Sequence, residues 1–212
     1  MRQTAVGFES KKAALEGILS TPEDFAQPYP MLVVCHPHPT LRGNMDSPIV
    51  TAICTNADRL GIATLRFNFR GVEGSEGQFT NGETEQEDVK AALNLARNWP
   101  GIDKKRIALV GYSFGAGVIL RGLRNYKHAA SLILIAPPIS AVQASPIRGD
   151  KRPKLFIVGQ NDRIVDSAEL QRELDEVREP VQFREIPETD HSLRGHEQEI
   201  ADRTVQFMAT TV

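Results

Sequence analysis

Gly111-Tyr112-Ser113-Phe114-Gly115 follows the apolar run Ile107-Ala108-Leu109-Val110 and leads into Gly117-Val118-Ile119-Leu120. A serine therefore sits between a predicted strand and a predicted helix, and Ser113 is a candidate nucleophile. A turn that sharp puts residue 113 in strained backbone geometry and brings the chain on either side of it close together. A side chain at 111 or 115 would collide with its neighbours, and glycine at both positions removes the clash. The turn lifts Ser113 Oγ clear of the sheet. It also leaves the unpaired N–H groups of the helix N-terminus beside any oxyanion formed on a substrate.

Outward from that turn, strand and helix patterns alternate. Residues 6–9 and 15–19 flank a Ser-Lys-Lys turn and pair as an antiparallel hairpin at a sheet edge. Strands are predicted at 31–35, 63–67, 106–110, 131–135, 155–158 and 181–186, and helices at 49–60, 85–99, 116–124, 168–177 and 197–208. Val89, Ala92, Leu93 and Ala96 fall at i, i+3, i+4 and i+7, a buried helical stripe with charge opposite. The alternation implies an α/β fold, a mostly parallel sheet with helices on both faces. Right-handed crossovers gather the loops after the strands at one edge, where open α/β sheets bind ligands.

Those loops carry the reactive residues. His36-Pro37-His38-Pro39, Ser113, Asp162 and His191 each follow a different predicted strand. A serine hydroxyl needs a base to take its proton as it attacks, and the base needs a carboxylate to fix its tautomer and stabilise the imidazolium. The chain order Ser113, Asp162, His191 matches the order known for α/β-hydrolases. Asp166 is a competing acid, but it falls where the next helix should start. His128 and His196 have no strand end before them and read as solvated residues.

His36-Pro37-His38-Pro39 admits three readings: two metal ligands on one face of an extended chain, a rigid strand exit, or an oxyanion loop. No third and fourth ligand pattern accompanies the histidines. Pro37 and Pro39 cannot donate, so His38 is the donor within the run, and its backbone N–H beside that of Phe114 would form the oxyanion hole. The glycine-rich stretch from Arg66 to Gly77 lacks the lysine and spacing of a phosphate loop. It reads as a tight loop packed beneath the site, with Arg70 as an ion-pair anchor.

The whole chain restricts the function classes. Its 212 residues suit one domain, residues 1–212, with no linker dividing it. The net charge of -2, from 25 Lys+Arg against 27 Asp+Glu, is dispersed, so no nucleic-acid or membrane surface is expected. No run is long and apolar enough to span a bilayer, and the N-terminus has no leader pattern, so a cytoplasmic protein is expected. Cys35 and Cys54 read as reduced, buried thiols.

With these residues in place, the chain resembles a small, capless α/β-hydrolase of the dienelactone-hydrolase-like serine hydrolase group. The resemblance covers nearly the whole chain. It rests on His36-Pro37-His38-Pro39 with Gly43, Met45 and Pro48, on residues 66–71 with Ser75 and Gly77, on Glu85 with Asp88, on the elbow, on Gly159 with Asp162, and on Asp190-His191. It implies a Ser-His-Asp carboxylic ester hydrolase that needs no cofactor and no metal. Dienelactone hydrolases use a cysteine nucleophile where this chain has Ser113, so their lactone substrate does not carry over. Related sequences usually have glycine where Glu73 stands.

The expectation is therefore hydrolysis of small esters through an acyl-enzyme, with thioester or amide cleavage on the same triad, or a non-catalytic scaffold, as the alternatives. Hydrolases of this fold commonly insert a cap after the sixth strand, but only residues 137–153 are available here. An open crevice and a preference for short acyl chains follow, unless a homodimer supplies a wall.

Overall fold

Met31, Val33 and Cys35 point to one side of their strand, Leu32 and Val34 to the other, and all five are buried. A strand apolar on both faces has to be covered on both. The computed structural model describes residues 1–211 and shows how this is done. The strands are β1 (Arg2–Ser10), β2 (Ala13–Thr21), β3 (Tyr29–Cys35), β4 (Ala63–Phe67), β5 (Ile102–Tyr112), β6 (Ser131–Ile135), β7 (Lys154–Gly159) and β8 (Val181–Ile186). They form one sheet in the order β1-β2-β4-β3-β5-β6-β7-β8. β1 and β2 form the antiparallel edge hairpin, β2 runs antiparallel to β4, and every later pairing is parallel.

One face of the sheet packs on α1 (Pro48–Arg59) and α6 (Glu197–Thr211), the other on α2 (Glu85–Asn98), α3 (Phe114–Arg121), α4 (Ile139–Ala144) and α5 (Ser167–Leu174). The chain leaves β3 through α1 on one face and reaches β5 through α2 on the other. The connection thus changes face between adjacent strands β3 and β5. That is the switch point at which loops part to leave a crevice, and the loops after β3 and β5 carry His38 and Ser113.

Boundaries differ from the sequence pattern where charge masks structure. β5 begins at Ile102 rather than 106, because Asp103, Lys104 and Lys105 lie on a partly solvated stretch of strand. α3 stops at Arg121, and a 3-10 turn at Leu123–Asn125 takes the chain on to Tyr126, whose buried hydroxyl donates to the Gln86 carbonyl at 2.8 Å. α5 ends at Leu174, three residues earlier than expected. Among the described residues no helix is long and apolar enough to cross a membrane.

The loop after β4 is tied from beneath. Arg70 is bidentate to Asp88, whose side chain is fully buried in the first turn of α2, and it also donates to Ser10 Oγ at 3.1 Å. A guanidinium fork on a carboxylate fixes orientation as well as charge, so this pair sets where the loop leaves β4. Ser75 Oγ donates to the Asn68 carbonyl at 2.8 Å and accepts the Glu16 N–H at 3.1 Å. Glu73 has φ +47°, the left-handed region that favours glycine, and a side chain there carries a cost of roughly 1–2 kcal/mol.

Candidate active site

Ser113 has φ +52° and ψ −108°, and its N–H donates to the Ile135 carbonyl at 2.8 Å. This is the strained elbow that the flanking glycines anticipate. A Cβ at residue 111 would lie 2.5 Å from the Ala116 nitrogen, and one at 115 would overlap the Cys35 carbonyl. The chain therefore passes from β5 into α3 with only Ser113 projecting.

Ser113 Oγ lies 2.8 Å from His191 Nε2, and His191 Nδ1 lies 2.7 Å from Asp162 Oδ2. An ionised carboxylate only accepts, so Nδ1 carries the hydrogen and Nε2 faces the serine hydroxyl as an acceptor. The Asp162 carboxylate is buried, and its other oxygen accepts the N–H groups of Ile164 and Val165, each at 2.8 Å. The acid is thus fixed by its own turn before it meets the histidine. Gly159, at the end of β7, makes that meeting geometrically open. A Cβ there would be 2.5 Å from the Thr189 carbonyl and 2.6 Å from that of Asp190, so a side chain would push the acid and histidine loops apart. Asp166 lines the same crevice but has another partner: it caps α5, accepting the Glu169 N–H at 2.7 Å.

Two residues of the site have roles that the sequence reading missed. The Tyr112 hydroxyl reaches the carbonyls of His191 at 2.9 Å and Ser192 at 3.1 Å, tying the loop of His191 to the strand that leads into Ser113. Burial, reinforced by the Asp162 carboxylate, pushes this phenol up to about 12, so it stays a donor. The only signal in the sequence was an aromatic residue at a strand end.

His36 is the second. Its Nδ1 donates to the Pro37 carbonyl at 2.7 Å and its Nε2 accepts the Phe69 N–H at 3.1 Å. With both ring nitrogens engaged, His36 and His38 do not face a common ligand, and among the described residues no three His, Cys, Asp or Glu side chains cluster as a metal site. His36 instead joins the loop after β3 to the loop after β4.

Burial holds the His36 imidazole down at about 4, against an ordinary value of 6.5. The unfolded chain takes up that proton near 6.5 and the folded chain only near 4. Between these values the unfolded state binds more protons, so stability falls as pH falls, by about 2 kcal/mol between pH 6.5 and pH 5. His36→Gln should be less stable at pH 7 but should lose that part of the pH dependence. Urea midpoints measured across this range check it, and equal slopes in the two proteins would refute it.

His38 follows as the cap of a short 3-10 turn, Pro39–Leu41, and its Nδ1 accepts from the Thr40 N–H at 3.3 Å. Its ring packs edge-on against Phe114 and Phe79. Among the described residues the backbone N–H groups of His38 and Phe114 have no acceptor within the protein. The Phe114 group belongs to the first residue of α3, where no intrahelical partner exists.

The crevice has two lobes that meet at Ser113 and His191. The larger, about 1100 Å³, is lined by Gln160, Asn161, Asp162, Arg163, Asp166 and Asp190 among others. The smaller, about 590 Å³, runs along α3 past Phe114, Gly117 and Val118 to Arg121. Residues 137–153 build no lid, but they do more than connect strands. They form α4 and a 3-10 turn, Pro146–Gly149, and Pro138, Ala141 and Ala144 wall the smaller lobe. The crevice is therefore less open than the length of that segment suggested.

Comparison with known proteins agrees with this architecture. A family profile described as X-Pro dipeptidyl-peptidase (S15 family) matches residues 15–190. An α/β serine hydrolase without a lid from Xanthomonas campestris is 31% identical, with 96% of this chain and 95% of that one covered and a TM-score of 0.79. An α/β serine hydrolase homologue from Coxiella burnetii is 29% identical, with 97% of each chain covered and a TM-score of 0.83. An uncharacterised protein of Rickettsia prowazekii (strain Madrid E) is 28% identical over 190 residues, 85% of this chain and 79% of its own length.

Proposed function

The chain belongs to the X-Pro dipeptidyl-peptidase (S15) family and is a small, capless α/β serine hydrolase, and from that premise we propose that it hydrolyses carboxylic esters of small acyl groups through an acyl-enzyme on Ser113. The observation that carries this reading is the unbroken line from Ser113 Oγ through His191 to Asp162, at 2.8 and 2.7 Å.

In the first half-reaction Ser113 Oγ attacks the ester carbonyl carbon as His191 Nε2 takes its proton. The carbonyl electron pair moves to oxygen, where the N–H groups of Phe114 and His38 receive it. Asp162 stays ionised and stabilises the imidazolium. Collapse of the tetrahedral adduct expels the alcohol, which leaves with the proton from His191. Water then attacks the acyl-serine, giving its proton to His191, and the second collapse releases the acid and returns the proton to Ser113.

The small-acyl preference rests on the lobe along α3. Its apolar wall of Val118, Pro138, Ala141 and Ala144 ends at the Arg121 guanidinium, so a longer chain meets charge and water. Added methylenes then gain little of the roughly 0.8 kcal/mol that each buried CH₂ supplies. For p-nitrophenyl esters, kcat/KM should peak at about two to six carbons.

The family description favours a second reading, cleavage of peptide bonds. A panel of p-nitrophenyl ester, thioester, lactone, anilide and X-Pro dipeptide anilide separates the two. The ester reading expects the highest kcat/KM on the esters. Faster turnover of the X-Pro anilide would overturn it in favour of a peptidase.

A further inference from the structure

The two lobes differ in charge as well as in size. Three aspartates, Asp162, Asp166 and Asp190, line the larger one beside Arg163. No carboxylate lines the smaller one, whose ionisable groups are His38, His191 and, at its far end, Arg121. The Asp162 carboxylate is buried and engaged, so a ligand lying across Ser113 meets both signs of charge on one side and, on the other, a guanidinium with no carboxylate beside it.

Arg121 occupies the last turn of α3, where a cation also complements the helix dipole. That role does not account for the direction of its head group. The guanidinium Nη1 turns to the Asn81 carbonyl, at 3.4 Å, and lies over Gly82, on the opposite wall of the lobe. The loop it reaches is itself fixed. The buried Glu85 carboxylate accepts the N–H groups of Thr80 at 2.6 Å and Gly82 at 2.8 Å, and the Thr80 hydroxyl at 2.7 Å. Among the described residues no carboxylate pairs with Arg121. A guanidinium has five donors in a planar fork, so one long contact to a carbonyl leaves most of the fork for a ligand.

His191, which returns its proton to the alcohol, lies where the two lobes meet, so either half of the ester can reach it from either lobe. The charge difference sets the orientation: the acyl group is assigned to the lobe along α3, which leaves the larger lobe to the alcohol. From Ser113 to Arg121 is eight residues, about 12 Å along the axis at the helical rise, and the arginine side chain leans back toward the helix N-terminus. That span fits a chain of a few carbons with an anion at its end.

We infer that the acyl group carries a distal carboxylate: the enzyme takes half-esters of aliphatic dicarboxylic acids, with the ester at Ser113 and the free carboxylate on Arg121. This inference rests on the ester-hydrolase reading. In the balanced reaction, half-ester and water give the dicarboxylate, the alcohol and one proton. The attraction acts on an exposed cation, so salt weakens it.

The test measures proton release from the methyl half-esters of succinic to suberic acid beside the corresponding dimethyl esters, corrected for their two equivalent ends. At the best chain length, wild type should prefer the half-ester by at least about tenfold in kcat/KM at low ionic strength, and added salt should narrow the preference. Arg121→Gln should bring the ratio toward one, mostly through KM, as expected for loss of a remote binding contact. Arg121→Lys should keep part of it. Dimethyl esters turned over with no preference for half-esters at any length, or a preference insensitive to salt, would overturn the inference and leave the ester reading standing. No turnover of either series, together with turnover of an anilide, would overturn both.

Discussion

Replacing Ser113 by alanine should lower kcat for an activated ester by at least ~10³ and abolish labelling by a fluorophosphonate, with the fold unchanged. The size follows from how the site is built. Ser113 Oγ is the group that His191 Nε2 contacts, at 2.8 Å, and the strained elbow exists to present it. The two unpaired N–H groups and the binding lobes remain in the variant, so some acceleration over water should persist. Alanine also relieves no packing, since the side chain faces the crevice. Steady-state kinetics on matched preparations, with circular dichroism to check folding, measure it. A loss of under tenfold would mean that the reaction does not pass through this serine.

The second large effect distinguishes two aspartates four residues apart. Asp162→Asn should cost roughly 10² to 10⁴ in kcat, because an amide NH₂ facing Nδ1 favours the wrong imidazole tautomer. Asn at 162 can still accept the N–H groups of Ile164 and Val165, so the turn should survive. Asp166→Asn should cost less than about tenfold, since asparagine caps a helix about as well as aspartate. Equal or reversed losses would place the working carboxylate on the other turn.

These residues were legible in the sequence because each reactive group follows an apolar strand, and parallel strands deliver their C-terminal loops to one edge. Asp162 could be preferred to Asp166 for a local reason as well: residue 166 precedes a helical pattern and is needed as its cap. What stayed hidden depends on contacts between distant segments. Nothing near Tyr112 in the chain reveals that its hydroxyl ties down the loop of His191, 79 residues away. The role of His36 stayed hidden because its partner, the Phe69 N–H, lies on another strand's loop. Arg121 carried no signal within the predicted helix 116–124, and only the fold sets it against the loop of Asn81 and Gly82. The segment 137–153 was legible as too short for a lid, but not as a wall, because that depends on where α4 packs against α3.

The central claim is that acyl transfer passes through Ser113. The most direct measurement is peptide mass mapping of the protein quenched during turnover of a slowly deacylating p-nitrophenyl ester. The predicted result is a single acyl adduct on the peptide bearing Ser113, formed with a burst of one p-nitrophenolate per chain and absent from Ser113→Ala. An adduct on any other residue, or full turnover in the alanine variant, would contradict the account.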